Sequence, residues 1–113
     1  MLFLIYSIYN LLMGAVFIFM PAQAMQCAGF TANGELVATH QIWGAALIGI
    51  ALIGFSLRST AASGTMRAFA FTGFIAVLVT LYHFMQGFAG PGMYANVLIQ
   101  AAFGVGFFLK SRS

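Results

Sequence analysis

Apolar positions run along this chain in four long blocks, at residues 2–20, 36–57, 68–86 and 93–109, with polar, glycine and proline residues gathered between them. Each block is close to the roughly 20 residues a helix needs to cross the hydrocarbon of a bilayer. The pattern predicts four transmembrane helices. Pro21 ends the first, because proline cannot continue a helix. Residues 22–35 are expected to form a loop, marked by Gly29 and the turn-like pair Asn33-Gly34. Residues 58–67 read as a polar loop and 87–92 as a tight glycine–proline turn. Connections this short make successive helices antiparallel. The expected fold is all-α: a four-helix transmembrane bundle of up-down topology, forming a single integral membrane domain over residues 1–113. Helices satisfy their own backbone groups, which is what makes this architecture available in lipid. The first block is followed by Ala22-Gln23-Ala24, which looks like a signal cleavage site. A secretory signal would begin with a basic segment, and here Tyr6, Ser7, Tyr9 and Asn10 also interrupt the apolar run, so the block reads as a retained first helix.

Composition makes the lipid reading compelling. Of 113 residues, 63% are hydrophobic and 4% charged, whereas a soluble domain carries about 25% charged residues to coat its surface. The net charge of +3 comes from four cations and one anion, too few and too scattered for a nucleic-acid surface. The cations are better read as topology signals. Arg58, Arg67, Lys110 and Arg112 all fall on one side of a four-helix arrangement, and Glu35 falls on the other. The positive-inside rule then places both termini in the cytoplasm, as expected of a multi-pass protein of a bacterial inner membrane. No charged residue lies inside a block, which argues against proton relays, voltage sensors and ion-coupled transport. Cys27 is the single cysteine, so an intrachain disulfide and Cys-x-x-Cys chemistry are excluded.

Three sets of residues are candidates for chemistry. His40 lies about one turn into the second block and His83 about one turn from the end of the third, which gives them similar depth in the antiparallel arrangement. Facing imidazoles suit a haem, a chlorin or a metal ion. Against this, histidine, Trp43, Tyr82 and Tyr94 are also at home at a membrane interface, and a haem brings propionates while every Lys and Arg is on the other side. Met25, Cys27, Met85 and Met93 on the same side form a soft-ligand set of the kind that takes Cu(I), although methionine is also an ordinary apolar filler. Asn10, Gln100 and, one turn from it, Asn96 are amides within the spans. They read as interhelical glue, with a polar-substrate or quinone-headgroup pocket as the other reading. Ala45 with Gly49, and Ala102 with Gly106, have the four-residue spacing that lets helices approach closely, inside the bundle or at an interface.

Four helices in about a hundred residues resemble small multidrug transporters, but the first helix lacks the carboxylate they need; disulfide-coupled quinone-reducing enzymes need cysteine pairs. A better likeness rests on Leu11-Leu12-x-Gly14, Phe17-x-Phe19-x-Pro21, and Gly44-Ala45-Ala46-Leu47-x-Gly49-x-Ala51-Leu52 followed by Arg58. In these positions the chain resembles DoxX-like four-helix membrane proteins. That resemblance implies a four-helix membrane fold and carries over no catalytic residue. With so little chemistry at depth, the expected role is non-enzymatic: an accessory or assembly subunit, with the lipid bilayer and other membrane subunits or further copies of itself as partners, and no cofactor identified. The alternative is a cofactor-binding membrane protein that uses His40 and His83 in electron transfer or pigment binding.

Overall fold

The computed structural model describes residues 1–60, 62–87 and 90–112. It is all-helical, with α1 over Leu2–Phe19, α2 over Pro21–Cys27, α3 over Gly34–Leu57, α4 over Ser63–Met85 and α5 over Pro91–Ser111. The helices α1, α3, α4 and α5 are long and apolar enough to span a membrane. The longest dimension of the protein is 44 Å, close to the ~40–45 Å of a bilayer with its headgroups.

The helix ends follow from local chemistry. Helix α1 stops where Pro21 begins α2, at the first helical position, where a missing N–H costs nothing. Part of the loop expected over 22–35 is therefore helix. Helix α2 ends on Gly29 at φ 93°, with Phe30 N–H donating to the Met25 carbonyl at 2.9 Å and Gly29 N–H to that of Gln26 at 3.1 Å. This paired closure needs a left-handed residue after the helix, and glycine is the one that takes it without strain. Asn33 then caps α3: its Oδ1 accepts from Leu36 N–H at 3.0 Å, so Asn33-Gly34 opens a helix where a turn was expected.

Helix α4 begins at Ser63, inside the expected polar loop over 58–67, and α5 runs past the expected 93–109 at both ends. Hydropathy marks the hydrocarbon, whereas a helix continues into the headgroup layer while its backbone bonds last. Residues 88 and 89 of the expected turn, residue 61 of the polar loop and residue 113 of the tail lie outside the described residues.

The long helices associate as two close pairs. In the first, Gly14 of α1 lies against Gly44 of α3, and a methyl group on either would sit 2.7 Å from the other's carbonyl oxygen. Towards the start of α1, Ser7 packs on Gly54 so closely that a Cβ there would overlap Ser7 Oγ. In the second, a Cβ on Gly73 of α4 would lie 2.9 Å from the Gln100 carbonyl oxygen and 3.0 Å from Gly104 Cα on α5. Lipid tails are as apolar as side chains, so helices gain chiefly from packing, and bare glycine backbone gives the closest packing.

The pairs meet through an aromatic cluster of Phe3 and Tyr6 on α1, Phe69 on α4, and Phe103 and Phe107 on α5. Tyr6 meets Phe103 edge-on at 5.0 Å and Phe69 at 5.4 Å, and Phe3 meets Phe107 at 4.7 Å. Edge-to-face pairs of this kind are worth about 0.5–1.5 kcal/mol each beyond area burial. Arg58, Arg67 and Lys110 lie within a few residues of Gly54, Phe69 and Phe107 respectively, which makes this the basic end of the bundle. Around the bundle α1 contacts α3 and α5, and α5 contacts α4, while no Cα of α3 comes within 8 Å of one in α4. The four long helices thus form an open C with α3 and α4 at its ends.

Candidate ligand-binding cavity

Away from the basic end the helix pairs separate and enclose a cavity of about 660 Å³, lined by all five helices. Asn10 on α1, Asn96 and Gln100 on α5, Thr80 and His83 on α4 and His40 on α3 all line it. Every candidate amide and both histidines therefore border one space. The helix faces that carry them are shared with Trp43 and Leu47 on α3 and Ala76 on α4, which also line the cavity. Tyr9, Phe17 and Phe30 complete the aromatic part of the wall.

The amides are held in different ways. Asn10 is buried, and its Nδ2 donates to the Tyr6 carbonyl one turn back on its own helix at 2.8 Å. Its amide is thus anchored to α1, and no side-chain hydrogen bond joins it to another helix among the described residues. Asn96 does bridge helices: its Oδ1 accepts from Tyr9 O–H at 2.7 Å, linking α5 to α1. That bond leaves the Asn96 Nδ2 protons for another acceptor. The side chain of Gln100 makes no hydrogen bond within the described residues, so both ends of its amide are available to an occupant. Thr80 gives its hydroxyl proton to the Ala76 carbonyl at 2.8 Å and keeps its oxygen as an acceptor.

The histidines are set by their neighbours. His40 is half-buried, with its ring 5.1 Å from Phe17. His83 lies 6.0 Å from Phe30 and 5.7 Å from Tyr82. The soft-ligand set is divided: Cys27 and Met93 line the cavity, Met25 is fully buried, and Met85 is 83% exposed. Among the described residues no group of three His, Cys, Asp or Glu side chains is placed to hold a metal ion. The small-residue pairs lie elsewhere. Ala45 and Ala102 are exposed; among the described residues nothing lies within 4 Å of where a Gly49 side chain would be, and one at Gly106 would meet Leu2 at 3.4 Å.

Short helix α2 and the residue that caps it supply lining that hydropathy alone does not flag: Gln23, Ala24 and Cys27, then Ala28. They reach the cavity because α5 begins on top of α2. A side chain at Gly90 would overlap the Cys27 carbonyl and Gly29 nitrogen, and one at Gly92 would lie 2.8 Å from Cys27 Sγ. Pro21 and Gly29, the favoured opening and closing residues of a helix, were the available signal for α2.

The chemistry of this wall is specific. It offers amide donors and acceptors, a hydroxyl, imidazole and aromatic faces, while no Asp, Glu, Lys or Arg lines it among the described residues. A formal charge would be stranded there, since charges in such surroundings need partners. No family model, curated protein or solved structure matches this chain.

Proposed function

We propose that this chain is a small multi-pass membrane protein that binds an uncharged small molecule in the cavity between its two helix pairs. The observation that carries this reading is convergence. Asn10, Asn96, Gln100, Thr80, His40 and His83 come from four helices and border one space. Polar side chains are costly at membrane depth and tend to mark functional sites. Amides acting only as glue would find one another, yet Asn10 bonds to its own helix. The volume also falls within the ~300–1,000 Å³ of ordinary ligand pockets. A haem is less well served, because its propionates would meet no cation on this wall and the four basic residues belong to the other end.

In this reading the helices alternate up and down in a bacterial inner membrane. Both termini and the basic end face the cytoplasm, and the cavity lies in the outer leaflet. The likeness to DoxX-like proteins belongs to the same proposal: Gly14 and Gly44, two glycines of the shared pattern, are where α1 and α3 touch.

A second reading is an accessory or assembly subunit, alone or in further copies. Exposed Ala45 and, one turn on, Gly49 of α3, where among the described residues nothing lies within 4 Å of a side chain's first carbon, favour that role.

One preparation tests both. Tagged protein is purified from its native membrane in mild detergent, and both the organic extract and the co-purifying polypeptides are identified by mass spectrometry. The ligand reading expects a small molecule near one per chain that is lost from Gln100→Leu. A ligand-free preparation holding a stoichiometric larger polypeptide would replace it with the subunit reading.

A further inference from the structure

We infer that the occupant of this cavity enters and leaves sideways, from within the bilayer, through the seam between α3 and α4, and is an uncharged, membrane-dissolved ring compound with hydrogen-bonding groups on its edge. This rests on the ligand-binding reading and adds a route and a chemical class to it.

The route follows from what closes the other directions. At the basic end the aromatic cluster packs between the helices, with Phe107 fully buried, and leaves only a separate cavity of about 150 Å³ beside Ile50, Ile53 and Thr72. At the opposite end α2 lies across the opening, with Met25 fully buried and the start of α5 seated on Cys27. On the flanks, α1 is joined to α3 and α4 to α5 by glycine contacts, and Tyr9 bonds to Asn96 between α1 and α5. Between α3 and α4 no Cα pair lies within 8 Å. Both edges of that seam are cavity wall: His40, Trp43 and Leu47 on α3, and Ala76, Thr80 and His83 on α4. Trp43 is 58% exposed although it lines the cavity, so its indole borders both the interior and the surrounding lipid.

The occupant follows from size and polarity. A crossing helix is a cylinder of about 30 Å by 10 Å, or roughly 2,400 Å³, far larger than the cavity of about 660 Å³. A lipid tail would fit but would leave Gln100 and the Asn96 amide protons unpaired in a water-poor space, at a cost of about 1–3 kcal/mol for each group. A charged solute would find no counter-charge. An uncharged ring satisfies the amides at its edge and stacks on Trp43, Phe17 or Tyr9 through its faces.

Trp43 is the single tryptophan and provides the readout. The protein is placed in lipid nanodiscs and mixed by stopped flow with a decyl-substituted benzoquinone, an uncharged ring with two carbonyl acceptors that quenches indole on contact. Saturable quenching is expected, and Gln100→Leu should raise the half-saturating mole fraction about tenfold. Ala76→Phe on one edge of the seam and Leu47→Phe on the other should each slow both onset and release severalfold, a common slowing that a change in affinity alone does not produce. Two variants on different helices guard against a single folding defect. Saturable, Gln100-dependent quenching whose rates neither edge variant alters would overturn the sideways route and leave the site standing. Quenching that rises linearly with quinone and is the same in Gln100→Leu would be collision with lipid-facing Trp43, and would sink both the route and the ligand reading.

Discussion

The two halves of this bundle solve the same problem in opposite ways. Near the basic end Phe3, Tyr6, Phe69, Phe103 and Phe107 pack between the helix pairs as interlocking rings, beside a small cavity of about 150 Å³. In the other half the same helices present amides, imidazoles and small residues around about 660 Å³ of unfilled space. Helices in lipid are held by packing rather than by expulsion from water, so the filled half supplies most of what joins the pairs. The hollow half forgoes that contact. Its polar side chains are expensive there, and of Asn10, Asn96, Gln100 and Thr80 only Asn96 makes a side-chain bond to another helix among the described residues.

The sharpest way to break this comparison is to hollow out the filled half. Phe107→Ala should lower stability by about 3–5 kcal/mol, the usual cost of removing a buried aromatic ring. Met13→Ala on the cavity wall should cost about 1 kcal/mol or less, because its side chain already borders empty space. Thermal unfolding in a mild detergent measures both, and equal losses would mean that the cavity wall is as tightly packed as the ring cluster.

The converse change is smaller. Ala70 is 1% exposed and sits among the rings, so Ala70→Phe should overpack the core and destabilise by about 1–3 kcal/mol. Ala76, two turns along α4 and on the cavity wall, should accept the same substitution with little loss. A large loss at Ala76 would show that the space is not available to a side chain.

The smallest expected effect concerns the Tyr9–Asn96 hydrogen bond, which joins the two helix pairs. Tyr9→Phe removes the donor to Asn96 and should cost about 0.6 kcal/mol, up to ~1.7, as interhelical bonds in membranes do. A drop of several kcal/mol in unfolding measurements would make this bond a main fastening between α1 and α5 and would blur the division between the halves.

The division was only partly legible in the sequence. The four spans were plain because lipid demands long, nearly uncharged stretches, and Arg58, Arg67, Lys110 and Arg112 mark one end. The sequence put His40 and His83 at similar depth in an antiparallel arrangement. That they share a space with Asn10 and Gln100 could not be read there, because it depends on the order of the helices around the bundle. Helices apolar on nearly every side carry little record of which face is inward. Glycine contacts set that order, and with thirteen glycines in the chain the pairs that matter, Gly14 with Gly44 and Gly73 with Gly104, look like many others. Helix α2 was missed because seven residues are too few to show a hydrophobic period, leaving only its bracketing Pro21 and Gly29 as a sign.

The open C also has a mechanical side. Each glycine-clamped pair is a stiff arm; the ring cluster fastens the arms near one end, and the Tyr9–Asn96 bond and the seat of α5 on α2 hold α5 to α1 towards the other, which leaves α3 and α4 as the free tips. The easiest deformation of such an object is a splaying of the far tips, like the jaws of a clothes peg about its spring. In a bilayer the lateral pressure of the acyl chains would act on those jaws, which would make lipid packing a dial on how wide they stand.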